Sequence, residues 1–105
     1  MKVAITSTGN SHKSLIDPRF GRCAYFVIYD TETKVIAFIP NKARDAEEGA
    51  GPQALQQVAS HEVKKIVSGE FGMKIKPLLD SLKIQMIVVK DPDKRIMDIM
   101  EMLDH

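Results

Sequence analysis

The sequence predicts a single α/β domain, a mixed five-stranded sheet flanked by three helices in the order β-β-β-α-β-α-β-α. Three observations predict it. Five short apolar runs, most of them bounded by turn formers, have strand length. Three stretches in the second half repeat apolar residues at helical spacing or open on helix-start residues. The first half reads as strands alone, whereas the second alternates helix with strand, the pattern of βαβ units. With 105 residues the chain forms one domain, 1–105, and closes one apolar core without disulfide or zinc staples.

Each element has its own local reason. Lys2 to Thr6 is an apolar run that stops at Ser7-Thr8-Gly9-Asn10-Ser11, a cluster of turn formers. A long loop follows. Tyr25 to Tyr29 is aromatic and β-branched, Asp30-Thr31-Glu32-Thr33 is polar, and Val35 to Ile39 is apolar until Pro40-Asn41, which together read as a hairpin. Pro52 suits a helix start, and Leu55, Val58 and Ala59 carry that helix to about His61. Lys65 to Ser68 is a short strand and Gly69 to Gly72 a glycine-bracketed turn. Ile75, Leu78, Leu79 and Leu82 mark a second helix that starts near Lys74, with Pro77 in its first turn. Gln85 to Val89 is the last strand. Asp91-Pro92 reads as the cap and first turn of a final helix through Ile96, Ile99, Met100 and Leu103.

If the first strand runs up, the meander and the right-handed crossovers bring the fourth and fifth strands up as well. The loops 7–22, 41–51, 69–72 and 90–92 then meet at the carboxyl edge of the sheet, where open α/β sheets bind ligands.

Composition excludes several classes of function. The formal charge is +1, from 15 Lys and Arg against 14 Asp and Glu, too balanced for a non-specific nucleic-acid binder. No apolar run approaches the ~20 residues of a membrane helix. A single cysteine forms no internal disulfide, and Met-Lys-Val-Ala-Ile-Thr-Ser runs straight into strand-like sequence with no leader-type apolar region, so the chain is expected to be cytoplasmic.

The chemistry concentrates in Asp17-Pro-Arg-Phe-Gly-Arg-Cys-Ala-Tyr-Phe26. Arg19 and Arg22 supply permanently charged forked donors, Gly21 lets backbone approach a ligand, and Cys23 offers a sulfur for soft metals. Each residue also has a structural reading. Cys23 taken alone is better explained as a small buried hydrophobe than as a ligand, and its place in the arginine loop brings the two readings level. The arginines can pair with Asp17 or Asp30, and Gly49, Gly51, Gly69 and Gly72 can serve tight turns. His12, in the long loop, is a minor metal candidate. His61 suits a helix C-terminus, and Met97, Met100 and Met102 suit packing or a partner surface.

Three segments in this order, Asp17 to Phe26, Gly49-Ala-Gly-Pro-Gln-Ala-Leu-Gln56 and Ser68-Gly-Glu-Phe-Gly72, resemble the nitrogenase iron-molybdenum cofactor-binding and biosynthesis accessory proteins. The resemblance runs from the first strand to the second helix. It implies a ribonuclease H-like fold and a non-enzymatic carrier that transiently binds an iron-sulfur or iron-molybdenum-type cluster, or its precursor. It also implies cluster donor and acceptor proteins as partners, and a monomer or weak homodimer. Carried onto this chain, the cofactor-binding residues are Arg19, Gly21, Arg22, Cys23, Gly49, Gly51, Gly69 and Gly72, with Cys23 as the metal ligand; His12 joins it as a metal candidate from its place in the loop and not from the resemblance. Such a cluster is an anion, so arginines, glycine-loop amides and two helix N-termini are expected to hold it. One cysteine excludes a permanent all-thiolate four-iron cluster in a monomer and leaves transient or subunit-shared binding.

Two rival readings are weaker. Glycine turns at helix N-termini with arginines also suit a phosphate- or nucleotide-binding regulatory module, but neither Gly-x-x-x-x-Gly-Lys-Ser/Thr nor Gly-x-Gly-x-x-Gly follows the first strand. A two-metal nuclease needs clustered carboxylates, and Lys2 to Thr6 has none.

Overall fold

A computed structural model describes all residues, 1–105. The elements are β1 (Lys2–Ser7), β2 (Tyr25–Asp30), β3 (Ile36–Pro40), α1 (Ala50–Ala59), β4 (Lys65–Ser68), α2 (Ile75–Ser81), β5 (Gln85–Val88) and α3 (Ile96–Leu103). They form an α/β domain with one mixed open sheet in the order β3-β2-β1-β4-β5. The meander is antiparallel, while β1, β4 and β5 run parallel. The carboxyl ends of β1, β4 and β5 therefore share an edge with the start of β2 and the end of β3, as the strand directions predict.

Alternation along the strands splits the core in two. Ala4, Phe26, Ile28 and Ile66 pack on one face with Ala54, Leu55 and Val58 of α1 and Ile75 and Leu79 of α2. Val3, Ile5, Val27 and Val67 pack on the other face with Ile96 and Ile99 of α3. The central strands are apolar on both sides because both sides are covered.

Two helix starts differ from the sequence reading. α1 begins at Ala50, two residues before Pro52, because Gly49 adopts φ 68° as the N-cap, a left-handed conformation that glycine takes without strain. α3 begins at Ile96, and Asp91-Pro92 is not its cap. Asp91 instead accepts a hydrogen bond from the Asp93 N–H at 3.0 Å in a local turn. Arg95 is extended, and residues 12–16 of the long first loop pair beside it: Ile96 N donates to the Ser14 carbonyl at 2.9 Å and Met97 N to the His12 carbonyl at 3.0 Å. The loop thus takes up N–H groups that open the helix, and this tertiary pairing sets the boundary. Pro77 falls in the first turn of α2, where a missing N–H is tolerated.

Candidate functional site

At the carboxyl edge three separated segments meet around one open cleft of about 690 Å³, lined by residues 20–22, 49–52 and 72–75. Backbone proximity makes the junction. A Cβ on Gly21 would lie 2.9 Å from the amide nitrogen of Gly51, and one on Gly51 would lie 2.8 Å from Cδ1 of Ile75. Side chains at those two positions would separate the loop from α1 and α1 from α2.

Asn41, just past β3, holds the wall in place. Its Nδ2 donates to the carbonyls of Gly21 and Cys23, both at 3.0 Å, and its Oδ1 accepts from the Ala43 N–H at 3.0 Å. Nearby, the Arg22 Nη1 donates to the Arg44 carbonyl at 3.0 Å. Phe20, part of the lining, stacks on Phe71 with centroids 5.5 Å apart.

Arg22 and Lys74 are the cleft's charged side chains, and no carboxylate lines it. Gly49 caps α1 with no side-chain hydrogen bond and no acid follows in the first turn, so the positive end of that helix is uncompensated there. The seven residues of α2 make a short second dipole, so of the two helix N-termini expected at the edge α1 supplies the larger contribution. Gly21, Arg22, Gly49, Gly51 and Gly72 of the sequence-derived set thus come together.

The other residues lie elsewhere. The Arg19 Nε sits 3.3 Å from Oδ1 of Asp17, a carboxylate buried to 2 % exposure, and this hydrogen bond raises the guanidinium pKa. The Asp17 Oδ1 also accepts the Arg19 backbone N–H at 2.9 Å. Gly69 serves packing, since a Cβ there would fall 2.5 Å from Cα of Pro18.

Both metal expectations are corrected by the structure. Cys23 is fully buried in the α1–α2 core, with Sγ 3.5 Å from the Phe20 carbonyl. Burial, reinforced by the Asp17 charge, pushes its thiol up to about 12, so it presents neither access nor thiolate. His12 packs edge-on against Phe38, at 5.8 Å between centroids, and Phe38 belongs to the α3 face of the sheet, the face opposite the core that backs the cleft. No group of three or more His, Cys, Asp or Glu side chains is placed to hold a metal ion. The cleft thus presents positive charge and amide dipoles and offers no chelating set.

Sequence reasoning missed Asn41 as a site residue. Its signal is a lone amide side chain directly after a strand-ending proline, which is also an ordinary turn signal. It missed Met73 too, which stands between Gly72 and Lys74 in the cleft lining.

The class that fold and site define is a small α/β domain with an open, cationic, carboxylate-free cleft at the carboxyl edge of its sheet. The chain belongs to the dinitrogenase iron-molybdenum cofactor family, which it matches over residues 1–104, beyond the second helix where the motif resemblance stops. Among solved structures it is similar to the apo form of the orange protein from Desulfovibrio gigas, at 26% identity over 97% of this chain and 85% of that one, with TM-score 0.90. It is also similar to a putative NifB protein from Thermotoga, at 26% identity over 97% and 85%, with TM-score 0.82. A putative dinitrogenase from Methanocaldococcus jannaschii shares the fold at 22% identity over 96% and 88%, with TM-score 0.61. No curated protein matches the chain.

Proposed function

We propose that this protein is a non-enzymatic carrier that binds a metal-sulfur cluster, of iron-sulfur or iron-molybdenum type, in the 690 Å³ cleft and passes it from a donor to an acceptor protein. The observation that carries this reading is the convergence of three loop segments on a cleft with two cations, exposed glycine backbone and no carboxylate. Family membership supplies the class of cargo. Because no chelating set is present, the cargo arrives assembled, with its own sulfides, and is gripped from outside. Sulfides accept hydrogen bonds from Arg22, Lys74 and the amides that open α1. Loose gripping suits a carrier, which must also let go.

The strand order supports describing the fold as ribonuclease H-like. A free thiol suits a reducing setting such as the cytoplasm, and monomer or weak homodimer is our reading of the assembly. No helix is long and apolar enough to cross a membrane. The near-neutral charge argues against nucleic acid as a partner.

The test is anaerobic incubation with a preformed iron-sulfur cluster complex as donor, with and without tetrathiomolybdate, followed by gel filtration. A brown protein fraction with charge-transfer absorption is expected, weakened in Arg22→Ala and Lys74→Ala. A colourless fraction overturns the carrier reading, and thermal stabilisation by ATP, NAD or a sugar phosphate would put a phosphate-binding module in its place.

A further inference from the structure

Met73 is 94 % exposed, far more than the other outward-facing methionines, Met1, Met97 and Met102, at 43 %, 47 % and 46 %. It stands at the rim of the cleft between Gly72 and Lys74. An isolated exposed methionine is unremarkable by itself, but this one borders the cavity in which the proposed cargo sits. The remaining side chains of the lining are aromatic, aliphatic, absent or cationic: Phe20, Ala50, Pro52 and Ile75, the glycines, and Arg22 and Lys74. Hydrocarbon offers no lone pair, and a charged guanidinium or ammonium offers donors only. The Met73 sulfur is therefore the one uncharged side-chain lone-pair donor in the lining, and it is soft. The freedom to use it is also built in. A Cβ on Gly72 would meet nothing within 4 Å, so no packing holds the 72–73 segment from that side. Met73 carries three rotatable side-chain bonds, and nothing at 94 % exposure restrains them.

We propose that Met73 is a further cargo-binding residue, whose thioether swings over the cleft and bonds to a metal on the exposed side of the cluster. This rests on the carrier reading and narrows it: the cargo presents a soft, thiophilic metal with an exchangeable position outward, while its sulfides face Arg22 and the α1 amides. The bond is a lone-pair donation from sulfur to metal, in which a weakly held ligand such as water leaves and no electron is transferred. A neutral thioether is a weaker ligand than a thiolate, in keeping with cargo that has to be handed on.

The experiment uses full-length protein labelled with ¹³C at the methionine methyls and loaded anaerobically from a preformed iron-sulfur cluster complex. The Met73 methyl signal is assigned by its disappearance in Met73→Leu, a substitution on the surface that keeps the hydrocarbon and removes the sulfur. On loading, the Met73 signal is expected to shift or broaden beyond detection, while the Met97 and Met102 signals, from α3 on the other face of the sheet, hold their positions. Met73→Leu is expected to retain cluster about tenfold less well on gel filtration, the low end for a lost contact in a metal site. An unmoved Met73 signal in visibly loaded protein overturns the proposal and leaves the carrier reading intact. So does full retention by Met73→Leu, which would make the residue a bystander. Failure of the unsubstituted protein to load overturns both.

Discussion

Arg19, Arg22 and Cys23 stand within five residues of one another, yet the fold gives them three different tasks. Arg22 borders the cleft, Arg19 is committed to Asp17, and Cys23 is core. Cys23→Ala is accordingly expected to leave cluster retention unchanged, whereas Arg22→Ala lowers it about tenfold, as befits one charge-assisted hydrogen bond. Arg19→Ala is expected to cost about 1–3 kcal/mol in denaturant unfolding, because it takes the side-chain partner from the buried Asp17 carboxylate and leaves it the Arg19 backbone N–H, and it leaves retention near that of the unsubstituted protein. Gel filtration of loaded protein ranks all three. The thiol also leaves a signature in pH. Its pKa rises from 9.0 to about 12 on folding, so the folded chain holds a proton that the unfolded chain releases. Stability is whole below pH 9.0 and falls as pH climbs toward about 12. Cys23→Ala is expected to flatten that decline, as measured by urea unfolding at about pH 8 and about pH 10.5. Sequence proximity showed that these residues belong to one loop. It did not show which way each side chain points, because strand alternation begins only at Tyr25, after all three.

Among the elements, strands were more legible than helix starts. The runs at Lys2, Tyr25 and Lys65 announce themselves through β-branched and aromatic residues, and tertiary structure has only to stack them. Asp91-Pro92 carries the local marks of a cap, but pairing between residues 12–16 and the segment before α3 prevails over it. Nothing local to residues 91–96 encodes that partner, which lies some eighty positions away in the chain. Asn41 was similarly hidden, since its hydrogen bonds reach back to Gly21 and Cys23. Asn41→Ala strips hydrogen bonds from a residue only 6 % exposed and is expected to cost about 1–3 kcal/mol. It also loosens the cleft wall, so cluster retention drops alongside the unfolding midpoint. Two glycines of one turn separate packing from binding. Gly69→Ala drives a methyl into Pro18 and is expected to destabilise by about 1–3 kcal/mol. Gly72→Ala meets open space, so its thermal midpoint stays within a degree or two of the unsubstituted protein's.

At the scale of the molecule, the sheet divides labour between its faces. α1 and α2 cover the face that backs the cleft, and α3 with residues 12–16 covers the other, where His12 packs on Phe38. The convergence of loops at the carboxyl edge was legible from strand directions alone. The placement of His12 was not, because a loop of that length can cross either face. The burial of Cys23 has a consequence for how the protein ages. With its one cysteine sealed inside the fold, two molecules have no accessible thiol through which to become covalently joined. Air that destroys a bound cluster should leave the emptied polypeptide undamaged at that position and ready to be refilled, and non-reducing electrophoresis after prolonged aeration should show a single monomer band.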